Sequence, residues 1–293
     1  MNDNTLWKLM RETWIKFEES FDPAIRFLVS KSKLSLREWM LILAALTFEP
    51  EDTTPSHLMV RGPYTSSDRY LAGLEKAAET GYLYRVADGR YRLSQSGRTA
   101  AEEFINVARD AMASAAMLPE QESIVLAHLL ERLVNNCLAT SPPPDTWSIK
   151  LSYKLLPAID KSMPFIEQAI SCLSAYRDDA HLAAWCSSGL SANAMESLTL
   201  IWRGQAGSFD ELTNKVAFRG HPEPVYLDAL SELRTSDYIS GSRNNLRITS
   251  EGKLFREQVE EKTDRYFFHP WTCLTEGEKD QIAEILPKIE FGL

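Results

Sequence analysis

The side chains able to do chemistry here are scattered rather than clustered. Five histidines (His57, His128, His181, His221, His269) and four cysteines (Cys137, Cys172, Cys186, Cys273) show no His-Glu-x-x-His run and no zinc spacing. The cysteines read as reduced thiols. The one local cluster is Asp178-Asp179-Ala180-His181. Carboxylates beside a histidine can ligate a metal, but adjacent helical residues point different ways. Two acids at the positive start of a helix is the preferred reading. No Gly-x-Ser-x-Gly, P-loop or dinucleotide fingerprint is present, and Gly62-Pro63 and Gly204–Gly207 are too short to cradle a phosphate. These patterns argue against a catalyst, a metal or an organic cofactor. What remains is hydrogen bonding and charge. Thr65, Ser66, Ser67 and Arg69 stand together, with Lys76 beyond; Arg85, Arg90 and Arg92 follow, and later Arg243, Asn244 and Arg247. Small hydroxyls permit close approach, an arginine can bond guanine in bidentate fashion, and long cations reach phosphates. A solvated polar face with ordinary surface arginines is the competing reading.

These residues sit in a chain that repeats itself at an offset of 156 residues. Ser35 matches Ser191; Tyr70, Leu71 and Leu74 match Tyr226, Leu227 and Leu230. Arg92-Leu93-Ser94-Gln95-Ser96-Gly97-Arg98 matches Arg247-Ile248-Thr249-Ser250-Glu251-Gly252-Lys253 after a one-residue deletion. The spacing then returns, with Leu118, Glu120, Glu122 and Leu130 matching Leu274, Glu276, Glu278 and Leu286. Copy one covers 35–137 and copy two 191–293. A unit this long is a duplicated domain rather than a solenoid repeat. The length agrees with about two domains.

Within copy one, Leu36, Trp39, Met40, Leu43 and Leu46 recur at helical spacing behind a Ser35/Glu38 capping box. Thr54-Pro55 caps and opens a short second helix. Thr65-Ser66-Ser67-Asp68 starts a third, with Tyr70, Leu71, Leu74, Ala77 and Ala78 on one face and Gly81 as its C-terminal glycine. Tyr82–Val86 and Arg90–Leu93 read as strands around Ala87-Asp88-Gly89. Helices then run to about Ser114 and Cys137. Copy two keeps this order: helices at Ala192–Trp202, after a Ser208/Glu211 capping box and around Pro222–Ser236, strands at Tyr238–Ser240 and Asn245–Ile248, and helices at Ser250–Tyr266 and Glu276–Ile289.

Three helices and a two-stranded wing form the winged helix-turn-helix order. Tyr70–Gly81–Tyr82–Leu83, the hairpin, and Leu93-Ser94-Gln95-Ser96-Gly97-Arg98 carry a resemblance to the MarR-like winged-helix family, whose run after the wing reads about Leu-Thr-x-x-Gly-Arg/Lys. Ile248-Thr249-Ser250-Glu251-Gly252-Lys253 fits that run as well, and Leu274-Thr275-Glu276-Gly277-Glu278 resembles the start of the family's last helix. The resemblance covers about two thirds of the chain. It implies a mainly α fold with small β wings, tandem winged helix-turn-helix domains, and an internal pseudo-dimer built from the terminal helices. Residues 1–34 would be an N-terminal packing helix, and 138–190 a Pro-rich linker with bridging helices. It also implies sequence-specific binding of double-stranded DNA by a transcriptional regulator, with a small apolar ligand at a domain junction. Base readout would fall to Thr65, Ser66, Ser67, Arg69 and Lys76, and phosphate contact to the wings. Seven tryptophans read mainly as core, with such a pocket as the alternative use. A monomer is expected, since the terminal helices would already cover each other.

Charge tempers the DNA expectation. The chain carries 32 basic and 41 acidic residues, a net −9, which disfavours indiscriminate nucleic-acid binding. Copy two offers Glu223, Asp228 and Glu232 where a reader would meet phosphates. A protein-interaction module that kept the fold without DNA is therefore the second reading. No apolar run approaches the roughly 18 residues of a membrane span, and the N-terminus lacks a signal-peptide layout, so the expected location is cytoplasmic.

Overall fold

The computed structural model describes residues 2–292. Its first half opens with α1 (Asp3–Ser30), α2 (Leu36–Phe48), α3 (Pro55–Arg61) and α4 (Ser67–Glu79). A wing follows, β1 (Leu83–Ala87) and β2 (Arg90–Leu93), then α5 (Gln95–Ala115), β3 (Ala116–Met117), α6 (Glu120–Leu138) and α7 (Trp147–Tyr153). The second half runs α8 (Ser162–Trp185), α9 (Ala192–Trp202), α10 (Phe209–Val216), α11 (Glu223–Thr235), β4 (Ile239–Ser240), β5 (Arg247–Ile248), α12 (Ser250–Phe268), α13 (Glu276–Ile285) and β6 (Glu290–Phe291). From α1 to α6 and from α8 to α13 the helices and wing follow the same order, and α7 lies between the two series. A long helix stands before the shorter ones in each half, α1 before α2 and α8 before α9. Among the described residues no helix is long and apolar enough to cross a membrane.

Side-chain caps set many of the helix starts. Ser35 and Glu38 form the expected capping box at α2. Thr54, Ser66, Ser94, Ser191, Thr249 and Thr275 each accept the amide three residues on. Ser208 also caps its helix, but Glu211 accepts from Gly207 rather than closing a box. In the second half the carboxylate on the Ser191 amide comes from a distance: Glu232 of α11 accepts it at 2.7 Å. Glu232 is thus turned inward, away from the reading face on which the sequence placed it.

The run after each wing has a clear physical cause. The Ser94 and Thr249 amides donate to the Tyr82 and Tyr238 carbonyls at 3.0 and 3.1 Å. Each following helix starts hard against its strand. A Cβ on Gly97 or Gly252 would overlap the carbonyl oxygen of Tyr82 or Tyr238. The glycine is required by this close approach.

Three apolar cores result. One lies inside each winged unit: Trp39, Ile42, Leu74, Leu83 and Phe104 in the first, and Met195, Leu198, Leu212, Leu230 and Ile239 in the second. The third gathers α1, α6, α8, α13 and the ends of α5 and α12, with Leu6, Met10, Leu130, Ile170, Tyr176, Phe267 and Trp271 buried together. β3 pairs antiparallel with β6, tying the end of α5 to the C-terminal strand.

Two expectations are corrected. On α2 the buried residues are Trp39, Leu41, Ile42, Ala45, Thr47 and Phe48, while Leu36 and Met40 are 44% and 43% exposed. That helix is apolar nearly all round, so spacing alone did not fix its inner face. Asp178-Asp179 lies inside α8, not at its start. Asp179 nevertheless serves a helix N-terminus, that of α7: its two carboxylate oxygens accept the Ser148 and Ile149 amides at 2.8 and 3.1 Å. Burial raises its pKa to about 6 despite those bonds.

Candidate nucleic-acid interface

In a helix-turn-helix the early residues of the second helix meet base edges. Here those ends, of α4 and α11, face each other. The Ser66 amide donates to the Arg219 carbonyl at 3.0 Å. Ser66 Oγ donates to the Gly220 carbonyl at 3.1 Å while capping α4. His221 Nε2 lies 3.1 Å from the Tyr64 carbonyl, and Arg37 Nη1 donates to the Phe218 carbonyl at 2.9 Å. Arg219 binds Glu196 at 2.7 Å and leans over the rings of Tyr64 and Phe218. Gly220 permits the approach: its φ is +78°, and a Cβ there would come within 2.5 Å of Arg69 Cδ and 2.9 Å of Arg69 Cβ.

This contact corrects part of the expected reading surface. Thr65 and Ser66 are 4% and 8% exposed, buried against the segment before α11. Ser67, Arg69 and Lys76 remain exposed, flanked on the same helix by exposed Asp68, Glu75 and Glu79. The wing arginines are largely matched by carboxylates. Arg85 pairs with Asp88. Arg90 and Arg92 both clamp Asp52, and the hydrogen bond from Arg92 is the chief reason that carboxyl titrates below its ordinary range. In the second wing Arg243 binds Glu223 at 2.6 Å, Asn244 is exposed, and Arg247 Nε donates to Asn245 at 3.1 Å. Arg219, Gly220 and His221 are the residues that sequence reasoning missed. No local pattern in the sequence marks this stretch as an inter-domain contact.

Two cavities lie along α1 and α8. One, of about 680 Å³, is mainly apolar and lies between α1, α2, α5 and α8, with Trp14, Phe21, Met40, Phe104 and Glu167 in its wall. The other, about 530 Å³ and polar, lies between α1, α8, α9 and α12, with Tyr64, Arg177, His181, Arg256 and Glu260. Arg256 is 1% exposed, donating from Nε to Thr199 at 2.9 Å and from Nη2 to Glu260 at 2.5 Å. Among the described residues no group of histidines, cysteines and carboxylates could hold a metal ion.

His181 in the polar cavity is a built-in acid sensitivity. Burial, then the Arg256 charge, lowers its pKa to about 4 from 6.5. In the window from about 6.5 down to 4 the unfolded chain therefore binds this proton more tightly than the folded one. The contribution is complete above pH 6.5 and is lost as pH falls through the window, by at most roughly 3 kcal/mol. His181→Gln should remove that slope. Urea midpoints for both proteins between pH 7.5 and 4.5 check it; parallel curves would contradict it.

No curated protein and no solved structure matches the chain. Residues 154–290, from just after α7 to β6, match the model of a helix-turn-helix family, so the second half of the chain carries a helix-turn-helix domain.

Proposed function

We propose that this chain is a non-catalytic, sequence-specific DNA-binding transcriptional regulator of the cytoplasm. It is built as an internal pseudo-dimer of two duplicated MarR-like winged-helix units and works as a monomer. The observation that carries the reading is the helix-turn-helix match over 154–290, joined to the same order of helices and wing in the first half. The ligand-responsive part is supported by the cavity of about 680 Å³ between α1, α2, α5 and α8, a size suited to a small molecule.

The contact between Ser66 and Arg219-Gly220 gives the regulator a closed state. Two readers serving successive major-groove faces stand about 34 Å apart, whereas these helix ends touch. Reading by both halves then requires them to separate. Reading by one half requires only the exposed Ser67–Arg69 edge and its wing. The acidic flank of α4 and the paired wing arginines favour the second reading, a protein-interaction module.

Two substitutions separate base readout from phosphate contact. Arg69→Ala should cost about 1–3 kcal/mol on the preferred site and relax its sequence preference. Arg90→Ala should weaken binding to every duplex alike and reduce the salt slope by about one. Fluorescence anisotropy across a salt series reads both effects. Unchanged affinity and slope in both variants would remove copy one from the interface.

A further inference from the structure

We infer that the groove between α1, α2, α5 and α8 binds a lipophilic cation, with Glu167 as its counter-charge and Trp14, Phe21 and Phe104 as its aromatic walls. This names the ligand class for the effector part of the proposed function and rests on that reading only for its consequence on DNA.

The groove holds about 680 Å³, and three large apolar side chains at it, Ile15, Leu36 and Met40, are 45%, 44% and 43% exposed. Water against such a surface is unfavourable, and an apolar ligand displaces it. Glu167 on α8 is part of the wall. Its Oε1 accepts from Trp14 Nε1 at 2.9 Å, and no ion pair neutralises it. Arg109 on α5 shares the groove and its charge favours the ionised Glu167, but its Nη2 is spent on the Leu155 carbonyl at 2.6 Å rather than on the carboxylate. The other charges facing the groove are on α1: Glu18, Glu19, Asp22 and Arg26. Arg26 is taken by Asp22 at 2.5 Å. The lining stretch of α2 contributes only Leu36, Met40 and Leu43, and α8 adds the neutral Gln168 and Ser171. The balance is negative, with aromatic faces around it.

A cation satisfies both features. It brings an opposite charge into contact with a desolvated carboxylate that has one neutral hydrogen bond and no ion pair, and it gains from the aromatic faces. An anion of equal shape gains the same burial and meets Glu167 and Glu18. Burial raises the Glu167 pKa to about 7, and burial with the Asp22 charge raises that of Glu18. The groove is therefore more negative, and the cation better held, as pH rises from 6 to 8.

Titration calorimetry on the full chain with tetraphenylphosphonium and tetraphenylborate, alike in shape and opposite in charge, tests this. The phosphonium should bind about tenfold or more tighter than the borate, and Glu167→Gln should lower its affinity about tenfold while the melting temperature at pH 7 does not fall, since the variant removes a buried charge. In the unmodified protein the phosphonium affinity should rise between pH 6 and 8, a readout that needs no variant. Equal binding of the two ions, preference for the borate, or phosphonium binding independent of pH would overturn the inference. Phosphonium binding as expected but without effect on DNA retention would overturn the effector role and leave the site standing.

Discussion

Gly252→Ala should unfold the second wing from the helix that follows it, at a cost of roughly 3 kcal/mol, the upper end for an overpacked site. The reason is geometric. The added Cβ would overlap the Tyr238 carbonyl oxygen, which is main chain and cannot swing aside as a side chain can. The same carbonyl accepts the Thr249 amide at 3.1 Å, so any shift that relieves the overlap also breaks this bond. Gly97→Ala should act alike in the first wing through Tyr82. Gly277 supplies the control. It lies in the first turn of α13, and a Cβ there meets nothing within 4 Å. Gly277→Ala should stabilise by about 0.4–1 kcal/mol through the unfolded chain. Urea unfolding of the three variants reads the contrast. Equal midpoints for Gly252→Ala and Gly277→Ala would show that the helix does not start against the wing.

Gly220→Val should open the contact between the two halves. A valine there must hold φ near +78° and place its Cβ on Arg69, a conformation costing about 1–2 kcal/mol even with free space. The Ser66 amide is the reporter, because its acceptor is the Arg219 carbonyl across the contact. Its hydrogen exchange should accelerate at least about tenfold, while amides in the core of α8 keep their protection. If the closed state holds the readers off DNA, affinity should rise together with this exchange, since removing a competing closed population raises apparent affinity. Faster exchange without any gain in affinity would mean that the contact is not a gate. Unchanged exchange would mean that the halves are not closed on each other through these residues.

Much of the fold was legible because local chemistry specified it. Caps such as Ser35/Glu38 and Thr54, the left-handed Gly81 and Gly89, and the hairpin between them are set within a few residues. The Ser-x-x-Gly and Thr-x-x-Gly runs carried the most, since each marks a strand carbonyl that a helix start must approach. Legibility ended where the decision belongs to distant partners. The inner face of α2 was hidden because its sequence is apolar all round, and the exposed Leu36 and Met40 proved to be wall of a groove. Asp178-Asp179 were read as the start of their own helix, whereas they lie inside α8 and Asp179 serves the N-terminus of α7, thirty-odd residues before it in the chain. Thr65 and Ser66 looked like reading residues by type and position; nothing local announced that Arg219-Gly220-His221 would cover them. For the same reason Glu232 read as a repulsive acid on the reader, when it reaches back to cap α9.

The most direct test of DNA binding is selection of genomic duplex fragments on the purified full chain at about 50 mM salt, where backbone attraction is strong. The retained fragments should share a common motif, and Arg69→Ala should lose the enrichment of that motif before it loses retention. Absence of retained duplex at this salt, for both the natural chain and Gly220→Val, would contradict DNA binding and leave the interaction module as the function of the fold.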